Sequence, residues 1–166
     1  MKILFVCTAN ICRSALAEVM LNKMVGERGL SDIIVESAGV HNYEGCSRDD
    51  VMAGLAFEAG YVMGGYARYA SPEVLESADL IICMQNYHVI ELQKRLPYDR
   101  WNRIRRFNEI CFDEPIDLMD PTGDNSHVYQ YVFEKIQKGC EALVSKLDIM
   151  ALPQENSPIV RIPERS

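Results

Sequence analysis

Short apolar runs alternate with amphipathic stretches along this chain. Ile3, Leu4, Phe5 and Val6 follow one another without a polar break, the pattern of a strand buried on both faces. From Ser14 onward Leu16, Val19, Met20 and Met24 recur at helical spacing, and Gly26 and Gly29 mark where that helix should stop. Ile33-Ile34-Val35 predicts a second strand closed by Ser37-Ala38-Gly39. Asp49 and Asp50 open a predicted helix that carries Val51, Leu55 and Ala59 and ends at Gly60. Ser71-Pro72-Glu73 reads as another helix start, with Ser as N-cap and Pro in the first turn. Residues 80–84 predict a third strand, and a helix follows over 87–96. A fourth strand is expected over 104–107, then a long loop through Pro115 and Asp120-Pro121. The last helix, over 128–147, sets Val132, Ile136, Leu143 and Leu147 on one face. Strands alternating with helices imply one α/β domain over residues 1–150, a parallel sheet covered on both faces. Periodicity is lost after Met150, so residues 151–166 are expected to form a mobile tail.

Composition narrows the function classes. The 166 residues hold 17 Lys and Arg against 24 Asp and Glu, a net charge of −7. That balance speaks against a nucleic-acid partner, which would ask for a basic face. Arg100, Arg103, Arg105 and Arg106 form a local cluster, read as a solvated strand edge in preference to an anion patch. No stretch resembles a secretory signal or a membrane span, so no membrane partner is expected and a cytoplasmic location is. In that compartment the six cysteines are expected as thiols. There is no Cys-x-x-Cys pair, and His41, His88 and His127 follow no metal-ligand spacing. Neither a metal nor another cofactor is expected.

In sheets of this kind ligands bind where a strand end feeds the next helix. Cys7-Thr8-Ala9-Asn10-Ile11-Cys12-Arg13-Ser14 occupies the first such junction. A loop of this length can curl its backbone N–H groups inward, and the following helix adds its positive end, making an oxyanion cradle. A cysteine at the strand end then faces both the dipole and the anion's centre, the setting of a nucleophilic thiol. Arg13 offers a planar fork for two phosphate oxygens. Asn10 tolerates the left-handed backbone such a loop needs. Ser14 either donates to the sulfur or caps the helix.

This segment closely resembles the motif of the low-molecular-weight protein tyrosine phosphatases, Cys-x-Gly-Asn-x-Cys-Arg-Ser, often followed by Pro. Cys7, Asn10, Ile11, Cys12, Arg13 and Ser14 match; Ala9 stands for the Gly and Ala15 for the Pro. The resemblance continues through Ser37-Ala38-Gly39, Ala67-Arg68, residues 79–84, Asp120-Pro121 and Gly139-Cys140, to about Leu147. It implies a four-stranded parallel sheet flanked by helices, with the phosphate-binding loop after the first strand. It further implies hydrolysis of phosphotyrosine in proteins, or of small aryl phosphates, through a cysteinyl-phosphate, with inorganic phosphate as product. Cys7 would be the nucleophile, and Thr8, Ala9, Asn10, Ile11, Cys12 and Arg13 would hold the phosphoryl oxygens. Asp120 would be the general acid, kept protonated by an apolar neighbourhood and the nearby dianion, with Asp113, Asp117 and Asp124 as fallbacks. Ser14 and Ser37 would support the loop. Tyr43 would line the substrate cleft, with Thr122 where relatives often carry an aromatic wall. Cys12 would capture an oxidised Cys7 as a disulfide.

Three other activities share this motif or its loop. A related group reduces arsenate with thioredoxin through further cysteines, for which Cys83 would be the relay. Arginine phosphatases tend to carry Thr where this chain has Ile11. A non-catalytic module would bind phosphate without turnover. Gly65 and Gln85 also depart from residues more often polar or acidic in relatives.

Overall fold

The computed structural model describes residues 1–151. Four parallel strands, β1 (Lys2–Cys7), β2 (Ile34–Gly39), β3 (Leu80–Cys83) and β4 (Ile104–Arg106), pair in the order β2-β1-β3-β4. The register sets Cys7 opposite Gly39 and Val6 opposite Cys83. Successive β1 side chains enter two different cores. Ile3, Phe5 and Cys7 pack with α1 (Arg13–Glu27), α2 (Asp50–Glu58), α5 (Phe107–Phe112) and α6 (Ser126–Ala151). Leu4 and Val6 pack with α3 (Pro72–Ser77) and α4 (Asn86–Gln93). A central strand covered on both sides has no polar face, which is why its sequence does not alternate. Fully burying side chains such as Leu4 and Phe5 stabilises the fold by about 1.5–3 kcal/mol each.

Two helix starts follow the sequence logic closely. Asp49 accepts from the Met52 N–H at 2.8 Å to open α2, and Ser71 accepts from the Val74 N–H at 3.3 Å to open α3, with Pro72 as its first residue. Other boundaries move. β2 continues through Ser37, Ala38 and Gly39, because all three pair with β1. α1 begins at Arg13, α4 ends at Gln93, and α6 begins at Ser126 and reaches Ala151. β4 stops at Arg106; Phe107, expected as the last residue of the strand, opens α5 instead, and the rest of α5 stands where the pattern predicts a loop. Six residues are too few to display a period, and α5 is held by packing: Phe107 and Cys111 are buried against α6. Gly139 of α6 makes that approach possible, since a Cβ there would run into the Phe107 ring. The expected tail lies, from residue 152 on, outside the described residues.

The arginine cluster is spread over separate partners. Arg100 pairs with Glu76, Arg103 donates to the Ala78 carbonyl at 3.4 Å, and Arg106 lies 3.4 Å from Asp117. Among the described residues no helix is long and apolar enough to cross a membrane.

Candidate active site

The β1-to-α1 connection turns sharply because Asn10 is left-handed, with φ 60°. Asn10 is fully buried, and its amide is fully used. Nδ2 donates to Ser14 Oγ (2.9 Å) and Ser37 Oγ (2.8 Å), and Oδ1 accepts from the Arg68 N–H (2.9 Å) and from Arg48 Nη1 (3.1 Å). Beneath the loop lies Gly39, where a Cβ would stand 2.8 Å from both Thr8 O and Ala9 C. A glycine is required there by close approach of backbone to backbone.

This frame acts on Cys7. Its sulfur lies 2.8 Å from Ser14 Oγ and receives the Asn10 N–H at 3.3 Å. Because Asn10 Nδ2 already donates to Ser14 Oγ, the hydroxyl hydrogen is free to point at the sulfur, where it stabilises negative charge. Ser14 sits inside α1 and makes no cap; the cap residue is Cys12, whose side chain makes no capping bond. Among the described residues, the N–H groups of Ala9, Ile11 and Cys12 donate to no carbonyl or side chain. Unspent donors ringing a sulfur are what an oxyanion needs.

Arg13 is 2% exposed, an unusual burial for a cation. Its Nη1 donates to the Leu118 carbonyl (2.6 Å) and Gln85 Oε1 (3.0 Å), which fixes the plane of the fork. Its Nη2 lies 3.6 Å from Asp120 Oδ2. Asp120 is 44% exposed, so the apolar enclosure expected of it is not found; its Oδ1 accepts from the Thr122 N–H at 3.0 Å, a tight turn that pins the carboxylate. Asp117 is occupied elsewhere, accepting from the Asn86 N–H at 2.8 Å at the start of α4. Asp113 closes α5, and Asp124 accepts from the Asn125 N–H.

A pocket of about 210 Å³ collects Cys7, Thr8, Ala9, Ile11, Cys12, Arg13, Tyr43, Asp120 and Thr122. It is small beside the roughly 300–1,000 Å³ of clefts for drug-sized ligands. Asn10, Ser14 and Ser37 stand behind it as support. Burial, then Asp49 and Cys7, push the Cys12 thiol well up. Cys83 is fully buried at the end of β3, and burial pushes its thiol up as well. A relay cysteine must be open to its reductant, and Cys83 is closed off from solvent. Among the described residues no group of three or more His, Cys, Asp or Glu is placed to hold a metal ion.

The family model described as "Low molecular weight phosphotyrosine protein phosphatase" matches residues 2–151. The chain belongs to this family. Low molecular weight protein-tyrosine phosphatase A of Mycobacterium tuberculosis is 33% identical over 153 residues, 89% of this chain and 92% of that one. The protein-arginine-phosphatase of Bacillus subtilis is 26% identical over 151 residues, 89% and 97% of the two chains. Among solved structures, a protein tyrosine phosphatase from Entamoeba histolytica with Hepes in its active site superposes with TM-score 0.83 at 28% identity, covering 92% of this chain and 99% of its own. The family's sheet and first-strand loop are thus those of this chain.

Several residues at the site carry no signal in the sequence pattern. Arg48, the Arg68 N–H, the Leu118 carbonyl and His88 reach the loop only through the fold. For Arg48 and His88 the one available hint was a charged or titratable side chain near a predicted helix start.

Proposed function

We propose that this protein is a metal-independent phosphatase that hydrolyses phosphotyrosine and other aryl phosphate monoesters through a cysteinyl-phosphate intermediate. The observation that carries the reading is the convergence of Cys7, buried Arg13 and Asp120 on one pocket ringed by unspent loop amides. Cys7 thiolate attacks phosphorus; the S–P bond forms as the bond to the leaving oxygen breaks. The Arg13 fork and the loop amides hold the equatorial oxygens, and Asp120 gives its proton to the leaving phenoxide. Asp120 then takes a proton from water, which attacks phosphorus and breaks the S–P bond. Inorganic phosphate leaves and the thiolate returns.

Apolar Ile11 on the pocket wall suits a phenyl ring better than a charged guanidinium, which favours tyrosyl over arginyl phosphate as substrate. The test is turnover of phosphotyrosine and phosphoarginine peptides with EDTA present, with Cys7→Ser as control. Phosphate release from phosphotyrosine, with a phosphoenzyme trapped on Cys7 after acid quench, is expected. Faster release from phosphoarginine would transfer the assignment to that ester class, and tight binding without turnover would make the protein a phosphate-binding module.

A further inference from the structure

Asn10 spends every polar group it has, and one side chain takes two of them. Arg48 Nη1 donates to both the carbonyl and Oδ1 of Asn10, while its Nε donates to the Gly64 carbonyl at 3.1 Å. A single guanidinium therefore ties the left-handed residue of the loop to the segment before α3. Gly65 follows with φ +73°, and a Cβ added there would lie 3.9 Å from Arg48 Nη2. The cation is half-buried: burial weighs against its charge, while Glu18 and Cys7 favour it. Arg48 in turn holds down the Glu18 carboxyl that burial raises.

We infer that Arg48 is a positioning residue of this site, fixing Asn10 so that its N–H aims at the Cys7 sulfur and bringing a second positive charge to the back of the loop. Arg13 holds the front of the anion and Arg48 holds the loop from behind. Only a planar fork can reach the carbonyl, the amide oxygen and Gly64 together; an ammonium is a point donor. The charged groups that face Cys7 or its neighbours Cys12 and Arg48 are Arg13 and Arg48 on one side of the balance, and Asp49, Asp120 and Glu18 on the other, with the buried Cys83 thiol also beside Cys7. His88 is neutral there, and Cys12 is a thiol. Removing Arg48 tilts this balance against a thiolate.

The turnover arm of the test rests on the proposed phosphatase reading; two other arms do not. Alkylation of Cys7 by iodoacetamide across pH, and binding of inorganic phosphate by calorimetry, need no catalysis. In Arg48→Met the half-rise of alkylation should move to higher pH, and phosphate affinity and kcat/KM should each fall about tenfold. Arg48→Lys keeps the charge without the fork, so the alkylation profile should return towards wild type while phosphate affinity stays reduced. If Arg48→Met does not fold, Arg48→Gln is measured in the same way and must show the same alkylation shift. An alkylation profile and phosphate affinity within about twofold of wild type would overturn the inference and leave Arg48 a purely structural residue. Failure of the phosphatase reading alone would appear as inactive wild-type protein whose Arg48 variants still shift in alkylation and phosphate binding.

Discussion

Acid should destabilise this fold through one buried ring. His88 is fully buried beneath the loop. Its Nδ1 accepts from the Gln85 N–H at 3.0 Å, so the ring proton sits on Nε2 and is given to Thr8 Oγ1, also at 3.0 Å. Burial first, and then the Arg13 guanidinium, push its pKa from 6.5 down to about 4, against the opposing pull of Asp117 and Asp120. A lowered folded value means that the unfolded chain takes the proton first. The stabilisation is therefore complete above pH 6.5 and is lost as pH falls through about 4. At 1.36 kcal/mol per pH unit the full loss is about 3 kcal/mol, of which about 2 kcal/mol is gone by pH 5. Urea unfolding of wild type and His88→Gln at pH 7 and pH 5 isolates this ring, because the carboxylates titrate alike in both and cancel. The variant should be less stable at pH 7 by about 1–3 kcal/mol, for its lost hydrogen bonds. By pH 5 that gap should narrow by about 2 kcal/mol. A gap of equal size at both pH values would refute the reasoning, as would a ring titration midpoint near 6.5 by NMR.

Gly39→Ala should displace the loop, since the new methyl meets backbone at 2.8 Å; a stability loss of about 1–3 kcal/mol with a larger fall in kcat/KM is expected, and unchanged phosphate binding would contradict it. Asp120→Asn should slow phenyl phosphate hydrolysis by about 10²–10⁴ and p-nitrophenyl phosphate far less, because the better leaving group needs less protonation. An equal loss for the two esters would remove Asp120 from the acid role. Peroxide should inactivate the protein, and a thiol reductant should restore wild type more fully than Cys12→Ser if Cys12 captures oxidised Cys7. The raised Cys12 thiol makes that capture faster at alkaline pH, and peptide mapping without a Cys7–Cys12 bridge would end the idea.

What could be read from the sequence was whatever a local rule controls. The unbroken apolar β1, the Asp49 and Ser71 caps and the strand–loop–helix junction at Cys7 are each decided by neighbours a few positions away. α5 escaped because its six residues are held by α6, with Gly139 giving Phe107 its room. At the site the same division holds. Cys7, Asn10 and Arg13 are legible as a loop with chemistry. Arg48, Gln85 and His88 are not, since their value lies in distances that exist only after the sheet has brought strand ends together. The one physical argument that misled concerned Asp120: apolar neighbours in sequence, Leu118 and Met119, did not become an apolar enclosure in space.

The supports of the loop also set a timetable for the protein's synthesis. Thr8 leans on His88, 80 positions later, Asn10 on Arg68, 58 positions later, and Arg13 on the Leu118 carbonyl, 105 positions later. A ribosome delivers the whole motif from Cys7 to Ser14 first and its supports long afterwards. A nascent chain that has made only β1 and α1 thus has Ser14 and the Asn10 N–H to set beside Cys7 but none of the distant supports of the loop. A chain cut short before Leu118 lacks the carbonyl that fixes the fork of Arg13.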